Sequence, residues 1–356
     1  MPVEGEEMRN RRTLEAFAGC LLGGAVGDAL GAPVEFMSLG DIRRRFGPSG
    51  VADYAPAYGV QGGAITDDTQ MTIFTAEGLI RADNRFREKG ICHPPTMLHD
   101  AYLRWLATQN HRPRRPDADP RRGWLLGVSG LHARRAPGNT CLSALESGKM
   151  GTIDRPLNNS KGCGGVMRVA PVGLVGKEPF QLGCEAAAIT HSHPSGYLAA
   201  GFFASVISRL VRGATLEEAI GHARGELTDY PGHQECLDAV DRAMRMASEA
   251  PAMVESVETL GQGWVAEEAL AIALFCALKA EDFQHGVLLA VNHGGDSDST
   301  GAMAGNLLGL IHGKSGIRRD WLERLELREV IEEVAADLWR QFGDHPGRFE
   351  PDWERY

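Results

Sequence analysis

Glycines recur every four residues at Gly19, Gly23, Gly27 and Gly31, and again at Gly301, Gly305, Gly309 and Gly313. Residues i and i+4 share one face of a helix, so each set, read as helix, presents a stripe with no side chains. A glycine inside a helix costs about 1 kcal/mol relative to alanine. Four in one helix persist only where close approach of another backbone offsets that cost. Such spacing mediates helix contact in membranes. Here Glu15 and Asp28 interrupt the first segment, and no unbroken run reaches the roughly 20 apolar residues of a span. The ladders therefore predict tight helix–helix packing in a soluble core. They adjoin acids: the first carries Asp28 and leads to Glu35, and the second begins just after Asp296-Ser297-Asp298-Ser299. Packing the ladders is expected to bring the acids together.

Apolar residues elsewhere recur mostly at helical spacing. Helices are expected over 14–32, 69–82, 97–107, 182–190, 195–212, 233–249, 264–280, 284–292, 299–312 and 320–342. In the last, Leu327, Val330, Ile331, Val334 and Leu338 mark one face, and Asp320 to Glu323 reads as a capping box. Thr215 to Glu218 reads as another. Alternating strand patterns are scarce, so the fold class is all-α: one compact orthogonal multi-helix domain over 14–342, with a 1–13 extension and a 343–356 tail. The longest irregular stretch, 108–163, reads as a long loop or lid. Between 112 and 135 it holds Arg112, Arg114, Arg115, Arg121, Arg122, Arg134 and Arg135 against Asp117 and Asp119. Such a stretch is either a solvated loop or a rim that draws in an anion.

The net charge of −10 argues against a nucleic-acid binder, which presents basic charge. Seven cysteines, none in C-x-x-C spacing, argue against a disulfide framework or a structural zinc site. Arg11-Arg12 before an apolar run ending in Phe17-Ala18-Gly19-Cys20 looks superficially like a lipoprotein signal. The acids Glu4, Glu6, Glu7, Glu15 and Asp28 argue against that. The expectation is a cytoplasmic protein with no membrane and no direct nucleic-acid contact.

Two clusters carry more acid than a helix cap needs: Thr66-Asp67-Asp68-Thr69 and Asp296-Ser297-Asp298-Ser299. Thr66 or Asp67 could cap the helix that follows, with Gln70 completing a box, and Asp298 or Ser299 could cap the later one. A cap uses one side-chain oxygen, and each cluster offers two carboxylates plus hydroxyls. Adjacent carboxylates repel unless a hard divalent cation neutralises them.

Five motifs in order identify the chain as similar to the ADP-ribosylglycohydrolase family, which includes the dinitrogenase reductase activating glycohydrolases and the ADP-ribosylarginine hydrolases. They are Gly19 to Glu35 (GCLLGGAVGDALGAPVE), Thr66 to Thr69, Gly164 to Pro171 (GGVMRVAP), Thr190-His191, and Gly294 to Ser299. The resemblance runs from about 14 to 342. It implies an all-helical domain with a central di-metal site, two Mg²⁺ or Mn²⁺ held by Thr66, Asp67, Asp68, Asp296, Asp298 and Ser299. Glu35 matches the family's acid near the metals. Cys163, Gly164, Gly165 and Met167 fall in the loop lining an ADP-ribose pocket, and His191 on its adenosine side.

The implied activity is hydrolysis of the bond between ADP-ribose and an acceptor, foremost an arginine guanidinium, with Asp298 or Glu35 taking a proton from water and donors of the 158–168 loop holding the pyrophosphate. The implied partners are ADP-ribose or an ADP-ribosylated protein. Two rival readings are a phosphohydrolase on ADP-ribose-like nucleotides and an immunity protein opposing an ADP-ribosylating toxin. Some nitrogenase-regulating members have Asn at Cys163, and an acid they use nearby has no counterpart in Asn158-Asn159-Ser160-Lys161. Cys163 has no sequence cue for a base that would make it a nucleophile.

Overall fold

A computed structural model describes residues 12–111, 123–344 and 355–356. Within them lie α1 (Leu14–Gly31), α2 (Leu39–Phe46), α3 (Asp67–Lys89), α4 (Pro94–Thr108), α5 (Asn139–Glu146), α6 (Ala170–Val175), α7 (Pro179–Ala188) and α8 (Pro194–Leu210). After these come α9 (Leu216–Leu227), α10 (Gln234–Glu249), α11 (Val254–Glu258), α12 (Ala266–Lys279), α13 (Phe283–Val291), α14 (Ser297–His312), α15 (Arg319–Arg324) and α16 (Arg328–Phe342). Among the described residues the only extended pairings are two isolated bridges, Ala57 with Val60 and Gly162 with Val265. The architecture is all-α.

The two ladders pack against each other, antiparallel, as the backbones of α1 and α14. Gly19 faces Gly309, Gly23 faces Gly305, Gly27 faces Gly301, and Gly31 faces Ser297. A methyl group on Gly301 would stand 2.5 Å from the Gly27 carbonyl oxygen, so no side chain fits there. Gly313 closes α14 at φ +71° and faces Glu15 rather than a glycine, its carbonyl carbon 2.9 Å from where a Cβ on Gly19 would stand. Every residue of α1 from Ala16 to Gly31 is buried. By length and composition α1 could cross a membrane. In this fold α14, α16, α13 and α3 surround it, as expected of a helix apolar on all sides.

Several expectations are corrected. The 108–163 stretch is not one loop. Arg112 to Arg122 fall outside the described residues, two short 3₁₀ turns follow, and Asn139–Glu146 is helix. In it Cys141, Leu142, Ala144 and Leu145 are buried, a short apolar face hidden in sequence by its Gly and Pro surroundings. The 320–342 helix is two helices. Leu327, counted as periodic, sits at φ +54° in the break. There Glu326 N–H donates to the Gly63 carbonyl (2.9 Å), and the Glu326 carboxylate accepts from Ile65 N–H (3.1 Å) and pairs with Arg135. The break thus braces the chain entering α3. No capping box forms at Asp320 to Glu323, because the helix begins earlier, with Arg318 at the cap position and Asp320 already inside the first turn, where it pairs with Arg318. The box at Thr215 and Glu218 does form. The tail's end returns to the body: Arg355 lies over the Trp124 ring, 3.9 Å from its centre, and Tyr356 packs edge-on to the same ring.

Candidate active site

Because α1 and α14 run antiparallel, the end of α1 lies beside the start of α14. The start of α3 joins them through Asp28. This carboxylate is fully buried and accepts from Thr66 N–H (2.9 Å), Thr69 N–H (3.2 Å) and Thr69 Oγ1 (2.5 Å). Three helix ends therefore meet, two of them N-termini whose partial positive charge favours carboxylates. One cap is as expected, and the Gln70 box and the later cap differ. Thr66 caps α3, its Oγ1 accepting from Asp68 N–H (3.3 Å), while Gln70 instead bonds Ala133, Trp105 and Gln109. Asp296, not Asp298 or Ser299, caps α14.

The convergence lines a cavity of about 410 Å³, within the usual range for small-molecule sites. Glu35, Asp67, Asp68, Asp296, Asp298 and Ser299 form one wall, and Cys163, Gly164, Met167 and His191 another. Thr66 and Gly165 lie just behind the surface, both buried. Gly165 is glycine for packing, since a Cβ there would press on Ala187 at 3.1 Å and His191 at 3.4 Å. A short bridge fixes the second wall. Cys163 N–H donates to the Trp264 carbonyl (3.1 Å) and Ala266 N–H to that of Lys161 (2.8 Å), while nearby Asp296 N–H donates to Gln262 (2.8 Å).

The electrostatics are those of crowded acids. Burial pushes the Asp67, Asp68 and Asp296 carboxyls far above their ordinary range, and Asp298 is the leading charge that adds to this. Burial also raises Asp298, offset by hydrogen bonds that include Ser299 N–H. Glu35, half-buried, is pushed up to about 10 by burial and then by Asp298, Asp296 and Asp67. No three Asp, Glu, His or Cys side chains among the described residues close on one point as a finished metal cage. The donor set nevertheless fits a hard cation. It is all oxygen, and the buried Asp68 Oδ1 has no hydrogen-bond partner among the described residues.

Cys163 is not built as a nucleophile. Its thiol donates to Asp296 Oδ2 (2.7 Å), and burial with the nearby carboxylates of Asp296 and Asp68 pushes its pKa up. Asn158 does not face the cavity; its amide donates to the Thr190 carbonyl (2.8 Å) and accepts from Ser160 N–H (3.0 Å). Of the basic stretch, Arg134 reaches the cavity, whereas Arg135 is buried against Glu326.

Sequence reasoning missed an aromatic pair lining the cavity and a tyrosine on Glu35. Phe36, exposed and at φ +67°, stacks on Trp264 with ring centres 5.2 Å apart. Tyr58, at φ +50°, donates its hydroxyl to Glu35 Oε2 (3.3 Å). Phe36 adjoins Glu35 in sequence, but Tyr58 and Trp264 arrive by tertiary folding without a local signal.

An all-α body with an acid-lined cavity and an oxygen donor set suits a small polar ligand and hard cations. The profile described as ADP-ribosylglycohydrolase matches residues 9–347. The ADP-ribosyl-[dinitrogen reductase] glycohydrolase of Rhodospirillum rubrum is 27% identical over 90% of this chain and 94% of its own length. The ADP-ribosylarginine hydrolase Tri1 of Serratia proteamaculans is 23% identical over 95% and 87%. A solved structure titled ADP-ribosylglycohydrolase-related protein complex superposes with a TM-score of 0.67 at 28% identity, covering 93% of this chain and 99% of that one. The chain belongs to the ADP-ribosylglycohydrolase family. It is a glycohydrolase of the kind that removes ADP-ribose from modified acceptors, in a family that generally depends on divalent metals.

Proposed function

We propose that the protein hydrolyses the N-glycosidic bond between ADP-ribose and a protein arginine, using two divalent cations, Mg²⁺ or Mn²⁺. The observation that carries this is the meeting of Glu35, Asp67, Asp68, Asp296 and Asp298 at one wall of a cavity of ligand size. The name of the Serratia relative supports arginine as the acceptor.

Thr66, Asp67, Asp68, Asp296, Asp298 and Ser299 would hold the cations, which when bound neutralise the acids, grip sugar hydroxyls and acidify water. The rest falls to the chain's own groups. Asp298, steadied by Ser299 N–H, takes the proton from the attacking water. Glu35, whose carboxyl is pushed up by burial and by the neighbouring aspartates, holds a proton and donates it to the departing guanidine nitrogen. Positive charge developing on the sugar lies beside the remaining carboxylates. Phe36 and Trp264 line the cavity where the acceptor enters. All seven cysteines are free, which suits a reducing compartment such as the cytoplasm.

The test offers the purified protein ADP-ribosylated arginine and serine peptides, with Mg²⁺, with Mn²⁺ and with EDTA. Release of intact ADP-ribose from the arginine peptide, lost in EDTA and in Asp298→Ala, is the expected result. AMP released with phosphoribose left on the peptide would establish the phosphohydrolase instead, and full turnover by Asp298→Ala in EDTA would remove the cations from the reaction.

A further inference from the structure

Arg168 is fully buried, and among the described residues its guanidinium forms no ion pair. It donates to the Ala186 carbonyl (3.1 Å) and Thr190 Oγ1 (2.7 Å), touches the sulfurs of Cys141 (3.4 Å) and Met71 (3.7 Å), and lies 4.2 Å from the centre of the Tyr102 ring. Its Nε has no hydrogen-bond partner among the described residues. A buried cation without a counter-ion is costly, so its placement calls for a use.

The second link is Thr190 Oγ1, which lies 2.8 Å from His191 Nδ1. A guanidinium only donates. Arg168 therefore occupies one lone pair of the Thr190 oxygen and polarises its O–H. The nearest strong acceptor for that proton is His191 Nδ1. A neutral imidazole that accepts at Nδ1 carries its own proton on Nε2. His191 Nε2 makes no hydrogen bond among the described residues, and its ring lines the cavity. A Cβ at Gly162 or Gly164 would stand 3.4 Å from Nε2, so these glycines keep the approach to it open.

We propose that Arg168 and Thr190 are positioning residues that hold His191 in its Nε2–H form, so that the cavity presents one fixed hydrogen-bond donor to an acceptor atom of the bound ligand. The ligand's being ADP-ribose rests on the function proposed above; the relay itself does not. Burial and the adjacent guanidinium lower the His191 pKa to about 3, so the ring stays neutral at ordinary pH. A donor fixed before binding is paid for in the fold rather than at the moment of recognition.

The test is ¹⁵N NMR of protein labelled in its histidine rings, with His191 assigned by the signal lost in His191→Gln. Ligand-free wild type is expected to show Nε2 protonated and Nδ1 bare. In Thr190→Val the signal should move toward mixed tautomers and the ADP-ribose Kd, measured by calorimetry, should rise about tenfold. Thr190→Ser should restore both. A merely structural Thr190 would lower the melting temperature without moving the tautomer, and that result overturns the relay. So does a wild-type ring with its proton on Nδ1. Should Thr190→Val not fold, the wild-type tautomer alone decides. Should wild type not bind ADP-ribose, the proposed function fails while the tautomer measurement still judges the relay.

Discussion

Gly27 and Gly301 meet backbone to backbone, each filling the space a side chain on the other would need. This contact sets the distance between α1 and α14, and with it the placement of Glu35 relative to Asp296 and Asp298. Gly301→Ala is expected to destabilise the protein by about 1–3 kcal/mol, the usual range for overpacking, and to lower activity more than any loss of folded protein explains. Gly221, on the exposed side of α9 with nothing within 4 Å of an added Cβ, is the control. Gly221→Ala should stabilise by up to about 1 kcal/mol. Thermal melts of the two variants check both signs.

Asp28 ties the start of α3 to α1 by three donors and does not line the cavity. Asp28→Asn keeps the shape but turns an amide N–H₂ toward groups that themselves donate. Support of this kind to a metal ligand is typically worth about 10–100-fold in affinity. Titration of the purified variant with Mn²⁺ should show weakening in that range with the helical circular dichroism unchanged. Unaltered Mn²⁺ binding would mean that Thr66 to Thr69 does not depend on Asp28 for its placement.

The crowded acids predict a pH dependence of stability. Glu35, Asp67, Asp68, Asp296 and Asp298 all have folded pKa values above their unfolded ones, Glu35 as high as about 10. The folded state then binds more protons, so the stability these groups allow is complete below about pH 4 and declines as pH rises toward 10. In EDTA the melting temperature should fall between pH 5 and pH 8. Saturating Mg²⁺ should abolish most of that fall, because a cation takes the place of the protons. Differential scanning calorimetry at several pH values reads both effects, and a flat EDTA profile would count against the crowding.

Cys163 donates its thiol proton to Asp296 and is held well above the thiolate range. Cys163→Ser preserves a donor at that point, so turnover should stay within about tenfold of wild type. A thiol nucleophile would instead lose nearly all activity on this change. Steady-state rates of the variant, with iodoacetamide labelling of the wild type, separate the two.

Much of this protein is legible along the chain. Helical periodicity located most helices, and the surplus of acid over capping need marked Thr66 to Thr69 and Asp296 to Ser299. The four-residue glycine spacing announced a helix pair in backbone contact. These signals survive in one dimension because they arise from neighbours within a turn or two. Helix α5 and the break at Leu327 were not visible. The first is a short apolar face amid Gly and Pro, and the second keeps its periodicity while its backbone turns to let Glu326 brace Gly63 and Ile65.

What only the tertiary structure decided is who faces whom. The sequence alone determined an all-α chain with two acidic helix starts and two side-chain-free helix faces. It did not determine the register in which the ladders pair, that Asp28 rather than Gln70 secures the start of α3, that Phe36 stacks on Trp264, or that Tyr58 reaches Glu35. The motif placed His191 at the pocket, and only folding joined it through Thr190 to the buried Arg168. The physical reason is common to all of these. Hydrogen-bond direction and van der Waals exclusion act over a few ångströms in space, between residues as far apart in the chain as Gly27 and Gly301.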